Sequence, residues 1–288
     1  MTLFIIGLII LLGGGYLYSK YVESQLEPDD RETPAVKKAD GVDFVVMSKT
    51  KNWLINLLNI AGTGPILGPI QGILFGPIAF IAIPIGCVIA GAVHDFMTGF
   101  ISMRNGGSQV PKLVGKYLGG GVRAFYNVII AILLLLTGVV FVYTPGDLIA
   151  KFVLGKDPEG AVIWIIYAVI FAYYILSTVM PIDKVIGKIY PFFGAFLIIS
   201  AIGVLIGVIV KGNAHLAFEG QGLLADHPKG QRFIPAFFIT VACGILSGFH
   251  GSQVTLVSRT VKSEKEAKST FYSTMIAEGF IAMIWAAG

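Results

Sequence analysis

Charge is scarce in this chain, and cysteine is scarcer. Only 13% of the 288 residues are Asp, Glu, Lys or Arg while 55% are hydrophobic, and no compact soluble core would need so much apolar surface. The two cysteines, Cys87 and Cys243, lie inside apolar runs where a thiol acts as a small hydrophobe. Neither a disulfide framework nor a metal cluster is therefore supported. Enzyme signatures are missing too: there is no His-Glu-x-x-His, no Gly-x-Ser-x-Gly and no Gly-x-Gly-x-x-Gly between strand and helix. Gly62-Thr63-Gly64 lacks the Lys-Ser/Thr tail of a phosphate-binding loop. Neither an enzyme nor a bound cofactor or metal is expected. The net charge of +4 does not point to nucleic acid, because the 21 Lys and Arg residues fall almost wholly in short segments between apolar runs.

What the chain has instead is long apolar runs and a mean hydropathy of +0.80. Thr2–Tyr18 is the first, and with no basic stretch before it and no small-residue cleavage site after it, it reads as a retained span. Residues 20–52 are polar and charged and read as a solvated cytoplasmic loop. Seven runs follow: Trp53–Phe75, Pro77–Met103, Phe125–Tyr143, Val162–Met180, Phe192–Val210, Ile234–Val257 and Phe271 to the end. At 1.5 Å rise per residue each suffices to cross a hydrocarbon core about 30 Å thick. The expected fold is thus an all-α polytopic membrane protein of about eight transmembrane helices. Basic residues alternate between the connecting segments, sixteen on one side and five on the other, which puts the amino terminus outside.

Two spans are interrupted. Gly62-Thr63-Gly64-Pro65-Ile66-Leu67-Gly68-Pro69 holds three glycines and two prolines in eight residues and cannot form a regular helix. In Cys243–Gln253, three glycines and the polar side chains of Ser247, His250, Ser252 and Gln253 interrupt a second span near its middle. Irregular backbone at membrane depth is tolerated only where protein or a wet cavity satisfies it, so each break reads as part of a binding site. The two broken spans run in opposite directions with four unbroken ones between, the pattern of an inverted five-span repeat. On that pattern residues 53–211 form the first repeat and 234–288 the first two spans of an incomplete second one. Half-helix ends present bare N–H and C=O groups, which together suit a zwitterion or an organic acid.

Ionisable residues inside spans are functional candidates by default, at about 2.5–3.5 kcal/mol each on insertion scales. Only His94, Asp95, His250 and Glu278 qualify. His94 and Asp95 are consecutive on a helix, where side chains diverge by about 100°, so they are expected to face different neighbours. Either a proton-exchanging role or a paired, structural carboxylate fits Asp95, and Glu278 lies only about two turns from a helix end.

The strings Asn59–Pro69 (N-I-A-G-T-G-P-I-L-G-P), Gly91–Arg104 (G-A-V-H-D-F-M-T-G-F-I-S-M-R), Cys243–His250 (C-G-I-L-S-G-F-H) and Tyr272–Ala287 (Y-S-T-M-I-A-E-G-F-I-A-M-I-W-A-A) resemble the carbon starvation protein A family of bacterial inner-membrane transporters. The resemblance covers nearly the whole chain and implies a secondary transporter of the amino acid, polyamine and organocation type, linked to carbon starvation. Implied cargo is small peptides moved with protons, or pyruvate in a related branch; a non-transporting nutrient sensor or subunit is the alternative of another class. Carried over residue by residue, the substrate site comprises Asn59, Gly62, Thr63, Gly64, Pro65, Ser247, Phe249, His250 and Gln253, and proton coupling falls to His94, Asp95 and Glu278. After Gly-Phe-His the family commonly reads Ala-Thr-Gln-Ser-Pro, whereas this chain reads Gly251-Ser252-Gln253-Val254-Thr255. Family members also continue beyond the eighth span, so a second polypeptide completing the fold is among the expected partners, with substrate, protons and the lipid bilayer.

Overall fold

A computed structural model describes residues 2–179, 182–210, 222–247 and 249–288, with the backbone alone at 182–191. Met180, Lys211 and Gly248, which the sequence reading places in a span, a loop and the second break, lie outside them. The described residues form helices and no strand, with one isolated bridge between Met47 and Val261. Six helices are long and apolar enough to cross a membrane: α1 (Thr2–Leu26), α4 (Ala79–Arg104), α5 (Gly120–Val153), α6 (Gly160–Val179), α7 (its Phe192–Val210 part) and α10 (Glu264–Ala287). A seventh is the pair α2 (Lys49–Ile60) and α3 (Thr63–Phe75), bent by 52° at the Ala61-Gly62 break. The eighth expected span appears as two short helices, α8 (Phe233–Ala242) and α9 (His250–Val257), parted at 243–249. The chain is an all-α polytopic membrane protein.

Local chemistry sets these breaks. Ser48 caps α2 by accepting from the Lys51 N–H, and α2 ends where Gly62 N–H turns back to the Ile60 carbonyl at 2.8 Å. Pro65 sits in the first turn of α3, where its missing N–H removes no bond, but Pro69 leaves the Pro65 carbonyl without its usual donor. Four helices also carry a five-residue π-turn: Ile10–Gly14 in α1, Cys87–Gly91 in α4, Ile149–Val153 at the end of α5 and Lys268–Tyr272 in α10. No sequence signal announces these wide turns, which are frequent beside functional sites.

The chain divides into two compact units. One comprises Met1–Val110 with Tyr190–Gly288, the other Pro111–Ile189. Neither coincides with the expected repeat segments, because packing defines a unit whereas internal symmetry defines a repeat. In the smaller unit α5 and α6 form a hairpin, closed by Tyr174 Oη donating to the Phe141 carbonyl at 2.9 Å. Their outer faces are apolar and exposed, as lipid-facing helices require.

Small residues bring the helices of the larger unit together. A Cβ on Gly68 would lie 2.5 Å from the Cys243 Cβ and 2.6 Å from the Thr240 carbonyl, so only glycine lets α3 meet α8 there. A Cβ on Gly91 would lie 2.1 Å from the Ile245 carbonyl, so α4 receives the second break in the same way. Leu11, Phe75, Ile83, Phe96, Phe100, Phe271, Met275 and Met283 fill the core between.

Two expectations about residues 1–52 need correction. The first helix does not stop near residue 19 but runs to Leu26, since Ser19–Leu26 holds neither glycine nor proline and Lys20, Glu23 and Gln25 are good helix formers. The segment after it is not a solvated linker. Thr33 and Ala35 are buried, and Thr33 Oγ1 donates to the Val261 carbonyl at 2.7 Å. Met47 N–H reaches the Thr260 carbonyl at 3.1 Å, and the Asn52 amide donates to the same oxygen at 3.0 Å. Buried Glu264 completes the seam: Arg104 Nε and Nη2 donate to its carboxylate at 3.2 and 3.0 Å, Asp29 N–H at 3.2 Å, and Arg31 Nε lies 3.6 Å away. Two of the charges that read as solvation, Asp30 and Arg31, thus face partners more than 200 positions away, Lys265 and Glu264.

Candidate functional site

Three helices deliver four ionisable side chains to one place inside the larger unit. Asp95 comes from α4, just after its π-turn; His250 opens α9, just after the second break; Glu278 comes from the middle of α10. His250 lies between the two carboxyl groups, its Nδ1 3.6 Å from Asp95 Oδ2 and its Nε2 3.4 Å from Glu278 Oε1. All three are buried, at 0%, 0% and 1% exposure for Asp95, His250 and Glu278. His94, part exposed, extends the chain by placing Nδ1 2.8 Å from Asp95 Oδ1.

That last contact corrects the expectation that His94 and Asp95 face different neighbours. Their Cα–Cβ bonds do diverge, but Nδ1 and Oδ1 each lie two bonds beyond Cβ, far enough for the imidazole to fold back onto the carboxylate. The result is a line His94–Asp95–His250–Glu278, exposed at one end and closed at the other.

Its interior is short of hydrogen bonds. Asp95 Oδ2, both ring nitrogens of His250 and both carboxyl oxygens of Glu278 are buried without a hydrogen-bond partner, since the His250 contacts fall outside hydrogen-bond geometry. Buried polar groups in that condition are costly, about 1–3 kcal/mol each, and they concentrate where a site accepts protons or a ligand. With Asp95, His250 and Glu278 this close and buried, the charge on any one of them bears on the others. Such a set can be neutral in more than one arrangement of protons.

The remaining expected residues divide into two groups around the breaks. Gly62, Thr63, Gly64 and Pro65 lie where α2 gives way to α3, with Asn59 in the last turn of α2. Ser247 and Phe249 lie in the non-helical segment before α9, and Gln253 is buried in its first turn. The breaks lie against each other at glycines: a Cβ on Gly64 would touch the Cys243 carbonyl at 3.7 Å, and one on Gly244 would lie 2.7 Å from the Pro69 side chain at Cγ. The ionisable line runs through α4, α9 and α10, and α3 packs on α10.

Counting only ionisable groups misses a second polar set. Asn56 Nδ2 donates to the Thr270 carbonyl and to Thr274 Oγ1, both at 2.8 Å, tying α2 to the π-turn of α10. Asn52, one turn earlier, accepts from Thr260 Oγ1 at 2.7 Å. Asn52, Asn56 and Asn59 recur at helical spacing in an otherwise apolar run, and that spacing is the signal that could have found them. Tyr272, whose hydroxyl donates to the Val88 carbonyl at 3.0 Å, carries no comparable signal.

Broken spans lined with small residues and a buried titratable set describe a transport protein more readily than an enzyme. Comparison with known proteins adds the lineage: the family described as Carbon starvation protein CstA matches residues 1–153 and 147–287. The chain belongs to this family. A relative from Haemophilus influenzae, described as an uncharacterized membrane protein, is 42% identical across 96% of this chain and 87% of its own length. The peptide transporter CstA of Campylobacter jejuni is 29% identical across 96% of the chain and 48% of its own. The pyruvate/proton symporter BtsT of Escherichia coli is 27% identical across 93% and 46%. The chain therefore spans about half the length of these two transporters. No solved structure matches.

Proposed function

We propose that the chain serves proton-coupled transport of small peptides across the bacterial inner membrane, with His94, Asp95, His250 and Glu278 as the proton-carrying set and the two breaks as the substrate site. The observation that carries this is buried His250 held between Asp95 and Glu278 at the start of a half-helix. A substrate bound at that break touches the same helix that bears His250, so binding and protonation are mechanically joined. His250 thereby moves from the substrate group, where the sequence reading put it, to the proton group. The N–H groups of Thr63 and Gly64 at the start of α3 favour a substrate carboxylate, and the Pro65 carbonyl, deprived by Pro69 of its usual helical donor, favours an ammonium. Both ends of a short peptide are served in this way.

The orientation follows from the distribution of basic residues, with the amino terminus outside and the Arg104–Glu264 seam toward the cytoplasm. On this reading the broken pairs α2–α3 and α8–α9 are equivalent members of an inverted five-span repeat. Pyruvate with a proton is the second reading, supported by a symporter relative at 27% identity beside a peptide transporter at 29%. Uptake of labelled dipeptide and labelled pyruvate into proteoliposomes under an inward proton gradient separates them. Dipeptide accumulation supports the first reading, pyruvate alone the second, and movement of neither leaves a nutrient-sensing or subunit role.

A further inference from the structure

Both helices that carry a carboxylate of the ionisable line carry a π-turn just before it. In α4 the turn Cys87–Gly91 precedes Asp95, and in α10 the turn Lys268–Tyr272 precedes Glu278. A π-turn closes its hydrogen bonds over five residues rather than four, so it holds one residue more than an α-turn. That residue turns everything downstream by about 100°, the angle between neighbours on a helix. If the turn in α4 tightened, Asp95 would swing off His250 and a neighbouring residue would take its direction.

One side chain touches both turns. Tyr272, the last residue of the α10 turn, is buried, and its hydroxyl donates to the carbonyl of Val88 inside the α4 turn at 3.0 Å. Its ring meets Phe96, the residue after Asp95, edge to face at 6.2 Å. Tyr272 thus grips α4 on both sides of the segment whose twist aims Asp95. In an apolar interior a carbonyl in a widened turn needs such an outside donor, because no water replaces it.

We propose that Tyr272 is a positioning residue for the ionisable line, holding the π-turn of α4 open and so aiming Asp95 at His250. This rests on the reading of that line as the proton-carrying set. Besides its four members, Cys87 of α4, packed on Gly279, and Tyr18 of α1 are titratable side chains packed in this region, and Lys268 at the start of the α10 turn is paired with Glu23 of α1.

The test follows protonation of the carboxyl groups directly, by infrared difference spectra of the purified protein in lipid across pH. Bands are assigned with Asp95→Asn and Glu278→Gln. Tyr272→Phe keeps the ring and deletes the donor; it should move the titration midpoint of the Asp95 band by about half a pH unit or more, the scale expected when a charged neighbour shifts position. Deleting Ile89, which is exposed on the π-turn, should leave a regular α-turn with Asp95 still facing His250. In that background Tyr272→Phe should leave the Asp95 band where the deletion alone puts it. An unmoved band in folded Tyr272→Phe overturns the proposal, and so does an undiminished effect in the deletion background. If Tyr272→Phe alone fails to fold, the double variant decides: folding there supports the assignment, and failure makes the hydroxyl a general structural need. The readout requires no transport, so a shifted band in a protein whose uptake ignores the proton gradient would keep Tyr272 in place while removing the proton role.

Discussion

Replacing Glu264 by Gln tests whether the seam over one end of the larger unit is structural in the way its geometry implies. The carboxylate is 1% exposed and receives Arg104 Nε at 3.2 Å, Arg104 Nη2 at 3.0 Å and the Asp29 N–H at 3.2 Å. Glutamine has the same shape but one oxygen, so its NH2 must face a donor. Arg104 keeps the Glu27 carbonyl at 2.8 Å and the Phe100 ring at 4.3 Å, so it is not left wholly unpaired. The net loss is about one charge-assisted hydrogen bond and one mismatched donor pair, roughly 3 kcal/mol. For a unit of about 200 residues that is about 6–12 °C in melting temperature. Arg31 makes the contrast. Half exposed and 3.6 Å from the same carboxylate, it should contribute little, because water screens the pair. Thermal unfolding in detergent, with Arg31→Ala alongside Glu264→Gln, measures both. A Glu264→Gln protein that melts within a degree of the parent, or no lower than Arg31→Ala, refutes the ledger.

Two further outcomes follow from particular contacts. Gly68→Val should separate α3 from α8 and cost about 1–3 kcal/mol by overpacking against the Cys243 Cβ at 2.5 Å, whereas Gly138→Ala, with nothing within 4 Å, should be neutral or slightly stabilising; melting temperatures compare them. Acid should release the segment around residues 29–44 late. Hydrogen bonding from the Arg31 side chain holds Asp29 below the usual carboxylate range, and the backbone N–H groups of Phe44, Val42 and Asp43 lower Asp40. Groups depressed in the folded state stabilise it at all pH above their unfolded value and lose that contribution as pH falls through the folded one. Amide exchange in this segment, corrected for intrinsic rate, should therefore match pH 7 at pH 5 and rise only below about 3.9; a rise already at pH 5 contradicts the assignment.

Much of the architecture was legible because its causes are local or compositional. Glycine and proline density marked the break at Gly62 and the break before His250, since helix propensity acts over a few residues. Scarcity of charge in apolar runs isolated His94, Asp95, His250 and Glu278, and those four are the ones brought together. Direction was less legible. Consecutive residues on a helix read as divergent, yet the His94 ring folds onto Asp95 because side-chain torsions lie outside any periodicity. The docking of Thr33 on Val261 joins residues 228 positions apart, and a polar segment gives no sign of a partner that distant. The π-turns stayed hidden for the opposite reason: their sequences, such as Cys-Val-Ile-Ala-Gly, are ordinary helix sequences, and the extra residue shows only in how the helix is held from outside. Asn52 and Asn56 were legible but uncounted, because an uncharged amide escapes a tally of charge.

The central claim is that the buried line carries the coupled proton, and Asp95→Asn tests it most directly. In proteoliposomes, the variant should lose dipeptide accumulation driven by an inward proton gradient while retaining exchange of labelled for unlabelled dipeptide across the membrane. Accumulation that persists at the parent rate in Asp95→Asn would make the carboxylate structural and contradict the account.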